Sequence, residues 1–207
     1  MDLTLKYAGK LVSAHSDNAT RAKHELRRHF HIQLATLWSE HPLLKDTDPT
    51  TLQMAFRKSG RYEIERPIGS SGLLWRFPLG GYDIVPLVSH VHEVHCHLAM
   101  RIYRCRERGS IVYSGGDLDN QLKVLFDSLS MPKDETYSDR QNSSGAVTNE
   151  TFFCLLEDDQ LITKLSVESF VLLDPSKKDH RNYVEADIEV HVEPVTPMIA
   201  NLDLLFP

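Results

Sequence analysis

Asp117 and Asp119 stand two apart behind a double glycine in the stretch GGDLDNQLK, residues 115–123, and Lys123 follows four residues after the second aspartate. A second acidic group, Glu157-Asp158-Asp159, comes after the apolar run FFCLL. Carboxylates repel one another and are costly to bury, so both groupings call for a cation. Oxygen ligands suit a hard ion; magnesium is the usual partner of phosphate, with manganese as a substitute. Such ions activate water and stabilise a leaving oxygen in phosphodiester cleavage. Lys123 would neutralise developing charge or orient the attacking water. Two structural readings compete: Asp119 as a helix cap, and an i,i+4 ion pair between Asp119 and Lys123.

These residues need elements to position them. If residues 111–119 are extended, Asp117 and Asp119 share a side, because strand side chains alternate. Gly115 and Gly116 allow a close approach there. Residues 120–131 predict a short amphipathic helix, apolar at Leu122, Val124, Leu125, Phe126 and Leu129 and stopped by Pro132. Residues 161–171 and 184–193 alternate apolar and polar side chains, which predicts an antiparallel hairpin with one wet face. Asp159 would open its first strand. The polar stretch 133–150 predicts a flexible loop.

Upstream, residues 3–12 suggest a strand, and a helix is expected over about 18–40. Ala22, Leu26, Phe30, Leu34, Leu37 and Trp38 form its apolar face, opposite Arg21, Lys23, Arg27 and Arg28. Residues 41–72, punctuated by Pro42, Pro49 and Pro67, read as loops with at most a short helix. Strands follow at 73–77 and 84–105, the second long enough for two strands or for one with a bulge. The expected class is α+β: a mostly antiparallel, mixed sheet packed with a few helices in a single domain over residues 1–207.

A chain of 207 residues with 41% hydrophobic content can bury a sizeable core. No run approaches the roughly 20 apolar residues of a membrane helix. The start of the chain lacks the apolar core of a signal peptide. Cys96, Cys105 and Cys154 show no CxxC spacing and read as free thiols of a reducing cytoplasm. Residues 1–108 hold 16 Lys+Arg against 11 Asp+Glu, net +5, and residues 109–207 hold 7 against 18, net −11. A basic half beside an acidic half suits a phosphate-binding face next to a metal site, or two ordinary solvated surfaces. The candidate DNA contacts are Arg21, Arg27 and Arg28 on the first helix, and Arg104, Arg106 and Arg108. The stretch HVHEVHCH raises zinc through His90, His92, His95 and His97 with Cys96. Alternation puts His90 and His92 on one face and His95 and His97 on the other, so a decorated strand is expected instead.

The run DLDNQLKVLFDSL followed by LEDDQLI resembles the signature of RusA-type endodeoxyribonucleases, the Holliday junction resolvases common in prophages. Their motif is Asp-x-Asp-Asn, a lysine four residues after the second aspartate, a helix ending, then Asp-Asp before a strand. The resemblance covers about residues 112–193 and leaves the preceding hundred as an N-terminal extension. It implies a RusA-like core, a homodimer, a divalent metal ion and hydrolysis of branched DNA, the four-way junction, in recombination or repair. It also implies that Asp117, Asp119, Lys123 and Asp159 are catalytic, with Asp158 joining Asp117, Asp119 and Asp159 around the metal. The connection between the acidic groups is longer than in compact members of that family, and YSGG replaces an arginine-rich approach to the first aspartate. Two other functions remain open. A palm-type nucleotidyltransferase or cyclase also binds two metals through a GGD hairpin, and a catalytically silent DNA-binding protein would keep the fold alone.

Overall fold

A computed structural model describes residues 1–12, 19–41, 44, 53–58, 61–64, 75–79, 81–105, 118–132, 150–174, 176 and 182–195. Among them, the chain runs β1 (Asp2–Lys10), α1 (Ala19–Glu40), β2 (Gln53–Lys58), β3 (Arg61–Ile64), β4 (Trp75–Leu79) and β5 (Tyr82–Val88). It continues with β6 (Val94–Arg104), α2 (Leu118–Leu129), β7 (Glu150–Leu156), β8 (Ile162–Val171) and β9 (Tyr183–Pro194). The class is α+β, with two mixed sheets where one was expected. One has four strands in the order β1-β9-β6-β8, the other five in the order β3-β2-β4-β5-β7.

The local patterns of the two helices and of β9 appear where their periods put them. α1 buries Ala19, Leu26, Phe30, Leu34 and Trp38 on one stripe. α2 buries Val124, Leu125 and Leu129. The 84–105 stretch is two strands, separated by a 3₁₀ turn at His90–His92 and by Glu93, whose φ of 51° turns the chain into β6. β9 alternates without a break, with Val184, Ala186, Ile188, Val190 and Val192 buried. These side chains, the inner residues of β6, both helices, and Val85, Leu87, Leu155 and Leu156 of the second sheet share one core. A smaller cluster of Phe77, Ile84, Phe152 and Cys154 is a second contact group.

Two expectations about pairing are corrected. β8 and β9 are not a hairpin, because β6 lies between them, antiparallel to β9 and parallel to β8. β6 offers five buried apolar side chains (Val94, Cys96, Leu98, Met100 and Ile102), more inward-facing surface than the mostly exposed β8 can match. β8 is left as an edge strand with Leu165 46% exposed. Within residues 41–72, β2 and β3 pair antiparallel, a hairpin in place of the expected loops. The loop expected at 133–150 and the arginines at 106 and 108 lie outside the described residues, apart from Glu150, which opens β7.

α1 touches the second sheet through His31. Its ring stacks on Phe152, with centroids 4.5 Å apart, and its Nδ1 accepts the Phe153 N–H at 2.9 Å. Burial pushes its pKa below the ordinary 6.5. A proton on Nδ1 would also break the bond from Phe153. The unfolded chain therefore takes up that proton more readily than the fold. The stability His31 contributes is present above pH 6.5 and is lost as pH falls through the depressed folded value. Urea unfolding followed through this window will show wild type weakening on acidification more steeply than His31→Gln. Equal slopes would mean that the imidazole is not held neutral.

Candidate functional site

Asp119 lies in the first turn of α2 and is exposed. The helix opens two residues earlier than a cap at Asp119 would require, so its carboxylate acts on the positive end of the helix dipole from within. Lys123, one turn on along the same face, is exposed as well. Among the described residues neither takes part in an ion pair, so the i,i+4 pair does not form. The helix is anchored at this end by Gln121, whose Nε2 donates to the Leu11 carbonyl at 3.3 Å. Asp117 lies outside the described residues. A helix starting at Leu118 also removes the strand that a palm-type GGD hairpin needs after its aspartates.

The second acidic group is built into a turn. Glu157 is buried and accepts hydrogen bonds from Ser89 Oγ at 2.6 Å and from the His90 N–H at 3.0 Å, tying β7 to the β5–β6 connection. Asp158, 4% exposed, caps a 3₁₀ turn at Asp159–Leu161 by accepting the Gln160 N–H at 3.1 Å. Asp158, expected as a ligand, thus serves the turn through Oδ1. Asp159 is exposed.

The two groups do not converge. Ile162, three residues past Asp159, pairs with Cys96 near the start of β6, beside Val192, whose N–H bonds the Met1 carbonyl. Gln121 instead reaches Leu11, beyond the other end of β1, where the Leu11 N–H bonds the Asn182 carbonyl. The length of β1 between them is on the order of 30 Å. Asp119 and Asp159 thus stand at opposite ends of the four-stranded sheet. Among the described residues, the ligating side chains that come together in a group of three are His95, His97 and Glu193 instead.

The arginines divide. Arg27 is 9% exposed and acts as a clamp: its Nη2 donates to the Asp127 carbonyl at 2.7 Å and its Nε to the Ser130 carbonyl at 3.3 Å. These carbonyls at the end of α2 are where the dipole is negative and the helix's own donors have run out. Arg104 is also buried, with Nη2 donating to Ser169 Oγ at 3.1 Å. Both are corrected from phosphate contacts to interior ones. Arg21 and Arg28 are exposed, Arg21 beside Glu25.

The outer face of β6 and β9 joins His95 and His97, raised above for zinc, to His191 and Glu193, which the sequence reading missed. His97 pairs with His191 and His95 with Glu193 across the two strands. His95 Nε2 and His97 Nε2 lie 3.4 and 3.6 Å from Glu193 Oε2. His191 Nε2 contacts Glu193 Oε1 at 2.7 Å, and its Nδ1 bonds the Asp2 carboxylate on β1. The bond to Asp2 holds the His191 pKa above its ordinary value. Cys96 points the other way, fully buried, its thiol pushed up to about 12 by burial, and so takes no part. The available signal was the triplet His191-Val192-Glu193, which has the same spacing as His95-Cys96-His97.

No family model, curated protein or solved structure matches the chain.

Replacing Arg27 separates its two readings. Arg27→Ala leaves the α2 carbonyls without their charged donor and will destabilise the protein by roughly 2 kcal/mol, whereas exposed Arg28→Ala will change stability by less than about 0.5 kcal/mol. Urea denaturation of both variants provides the comparison, and equal midpoints would remove the clamp.

Proposed function

We propose that the chain is a divalent-metal-dependent endonuclease that acts on branched DNA, with the start of α2 as its reacting centre. The observation that carries this reading is the pair Asp119 and Lys123, both exposed on one helix face and neither engaged in an ion pair among the described residues. A structural role would have used them in the pairing that their spacing offers. The resemblance of DLDNQLK to the RusA-type motif supplies the chemistry.

An exposed carboxylate in the first turn of a helix fits a hard ion with oxygen ligands. Asp117 and Asp119 would hold magnesium, or manganese in its place, and the ion supplies charge neutralisation at the scissile phosphate. The Lys123 ammonium, one turn further along, would face the same phosphate and offset charge developing on it. Exposed Arg21 and Arg28 would hold the DNA backbone. Asp159 stands at the far end of the sheet and would enter the same centre from a second copy of the chain, in keeping with a two-fold dimer that cuts two strands.

The test is cutting and binding of four-way junction DNA, measured on the same preparations with magnesium and with manganese. Wild type will cut the junction. Asp119→Asn and Lys123→Ala will cut at a rate lower by roughly 10²–10³, with junction affinity kept. Neutralising Arg21 and Arg28 together will weaken binding and lower its salt slope by about one for each residue. Lack of cutting by wild type with either metal would leave a DNA-binding protein without the chemistry. Loss of cutting in Asp159→Asn, with light scattering showing a monomer on DNA, would contradict the composite centre.

A further inference from the structure

The outer face of the four-stranded sheet carries a second group of side chains of metal-ligating type, different in composition from the start of α2 and at the other end of the sheet from Asp119. We propose that His95, His97 and Glu193 form a binding site for a transition-metal ion of the zinc type, with one coordination position left open. The ligating atoms of these three residues lie within 4.8 Å of one another. A tetrahedral zinc ion with ligands about 2.0–2.1 Å away has ligand–ligand edges of roughly 3.3 Å. The distances from Glu193 Oε2 to His95 Nε2 and His97 Nε2, 3.4 and 3.6 Å, are already close to those edges.

The donors are held on regular secondary structure. His95 and His97 alternate on β6 and therefore project together, and the antiparallel register puts Glu193 directly opposite His95. Two imidazoles and one carboxylate are the ligand class of open zinc centres, and imidazole favours zinc-like ions over magnesium.

A supporting shell is present as well. His191 bonds Glu193 through Oε1, which leaves Oε2, the oxygen nearest His95 and His97, for the ion. Asp2 in turn holds the other nitrogen of His191. A carboxylate–histidine contact behind a ligand fixes its orientation, and such contacts are part of how metal sites are tuned. The partial exposure of the donors, 20% for His95, 31% for His97 and 37% for Glu193, leaves an entry path. A cavity of about 520 Å³ lies along the same face, lined by His97, His191, Asp2 and Lys164 among others.

The experiment uses the untagged full chain, freed of metal, titrated with Zn²⁺ by calorimetry and with Co²⁺ by visible absorption. Wild type will bind one equivalent, show the intense bands of four-coordinate cobalt, and melt at a higher temperature with zinc than without. His97→Ala and Glu193→Gln will each lower affinity by about tenfold or more and lose those bands, and His191→Gln will weaken affinity about tenfold. His90→Ala, in the same histidine-rich stretch but outside the site, will bind as wild type. His95→Gln, closer in shape to the native side chain, replaces any variant that fails to fold. Absence of zinc binding by folded wild type would overturn the site, as would wild-type affinity in His97→Ala and Glu193→Gln. Because Asp119 and Lys123 are not among the ligands, the outcome is independent of junction cutting.

Discussion

The pairing of β6 with β9 is the constraint on which the rest of the structure depends. Eleven residue pairs, Val94↔Pro194 through Arg104↔Val184, run in register without a break. On the inner side they set Val192, Val190, Ile188 and Ala186 opposite Cys96, Leu98, Met100 and Ile102, which supplies much of the core. The same register puts His95, His97, His191 and Glu193 together on the outer side. Side chains alternate with a period of two, so a slip of one residue would turn the histidines inward and the aliphatics into water. The aliphatic faces thus fix the register, and the ligand group follows from it.

That pairing also accounts for the charge asymmetry along the chain. Acidic side chains from the second half meet basic ones from the first across neighbouring strands: Lys6 with Asp187, Arg101 with Glu189, and His95 and His97 with Glu193. Exposed pairs of this kind contribute about 0–1 kcal/mol each. Their main effect is on which strand lies beside which, because a like charge directly opposite is unfavourable. Part of the apparent basic surface is therefore spent inside the sheet, which leaves Arg21 and Arg28 as the exposed members of the arginine set among the described residues.

The sequence revealed whatever a local period or breaker encodes. The apolar stripe of α1, the amphipathic α2 before Pro132 and the alternation of β9 all belong to this class, whereas 84–105 read equally as two strands or as one with a bulge. Partner choice was not legible. β8 and β9 both alternate and follow one another, which is the signal of a hairpin, yet no local pattern says that β6 will come between them. β2 and β3 were hidden by attention to the prolines around them, although Ser59-Gly60 between them is a turn dipeptide. Arg27 looked solvated because its neighbours on the helical wheel are polar, and its real partners are carbonyls a hundred residues away. Of the candidate site, the α2 turn was legible as a motif. Glu193 and His191 became visible only when the register of β9 against β6 was known.

Among the described residues β1 pairs with β9 alone, residues 2–10 lying against residues 183–191. On a ribosome that adds roughly 5–20 residues per second, β1 therefore waits on the order of 10–40 s for β9. Through that interval the backbone groups that β9 will bond are solvated, and α1, which follows directly and shares a core with Leu5, is the cover at hand. The four-stranded sheet is completed only when β9 emerges, and its closure joins positions nearly two hundred residues apart. Order in this sheet therefore arrives late and as a unit, and a nascent chain stalled before β9 presents β1 as an open edge to any neighbouring strand.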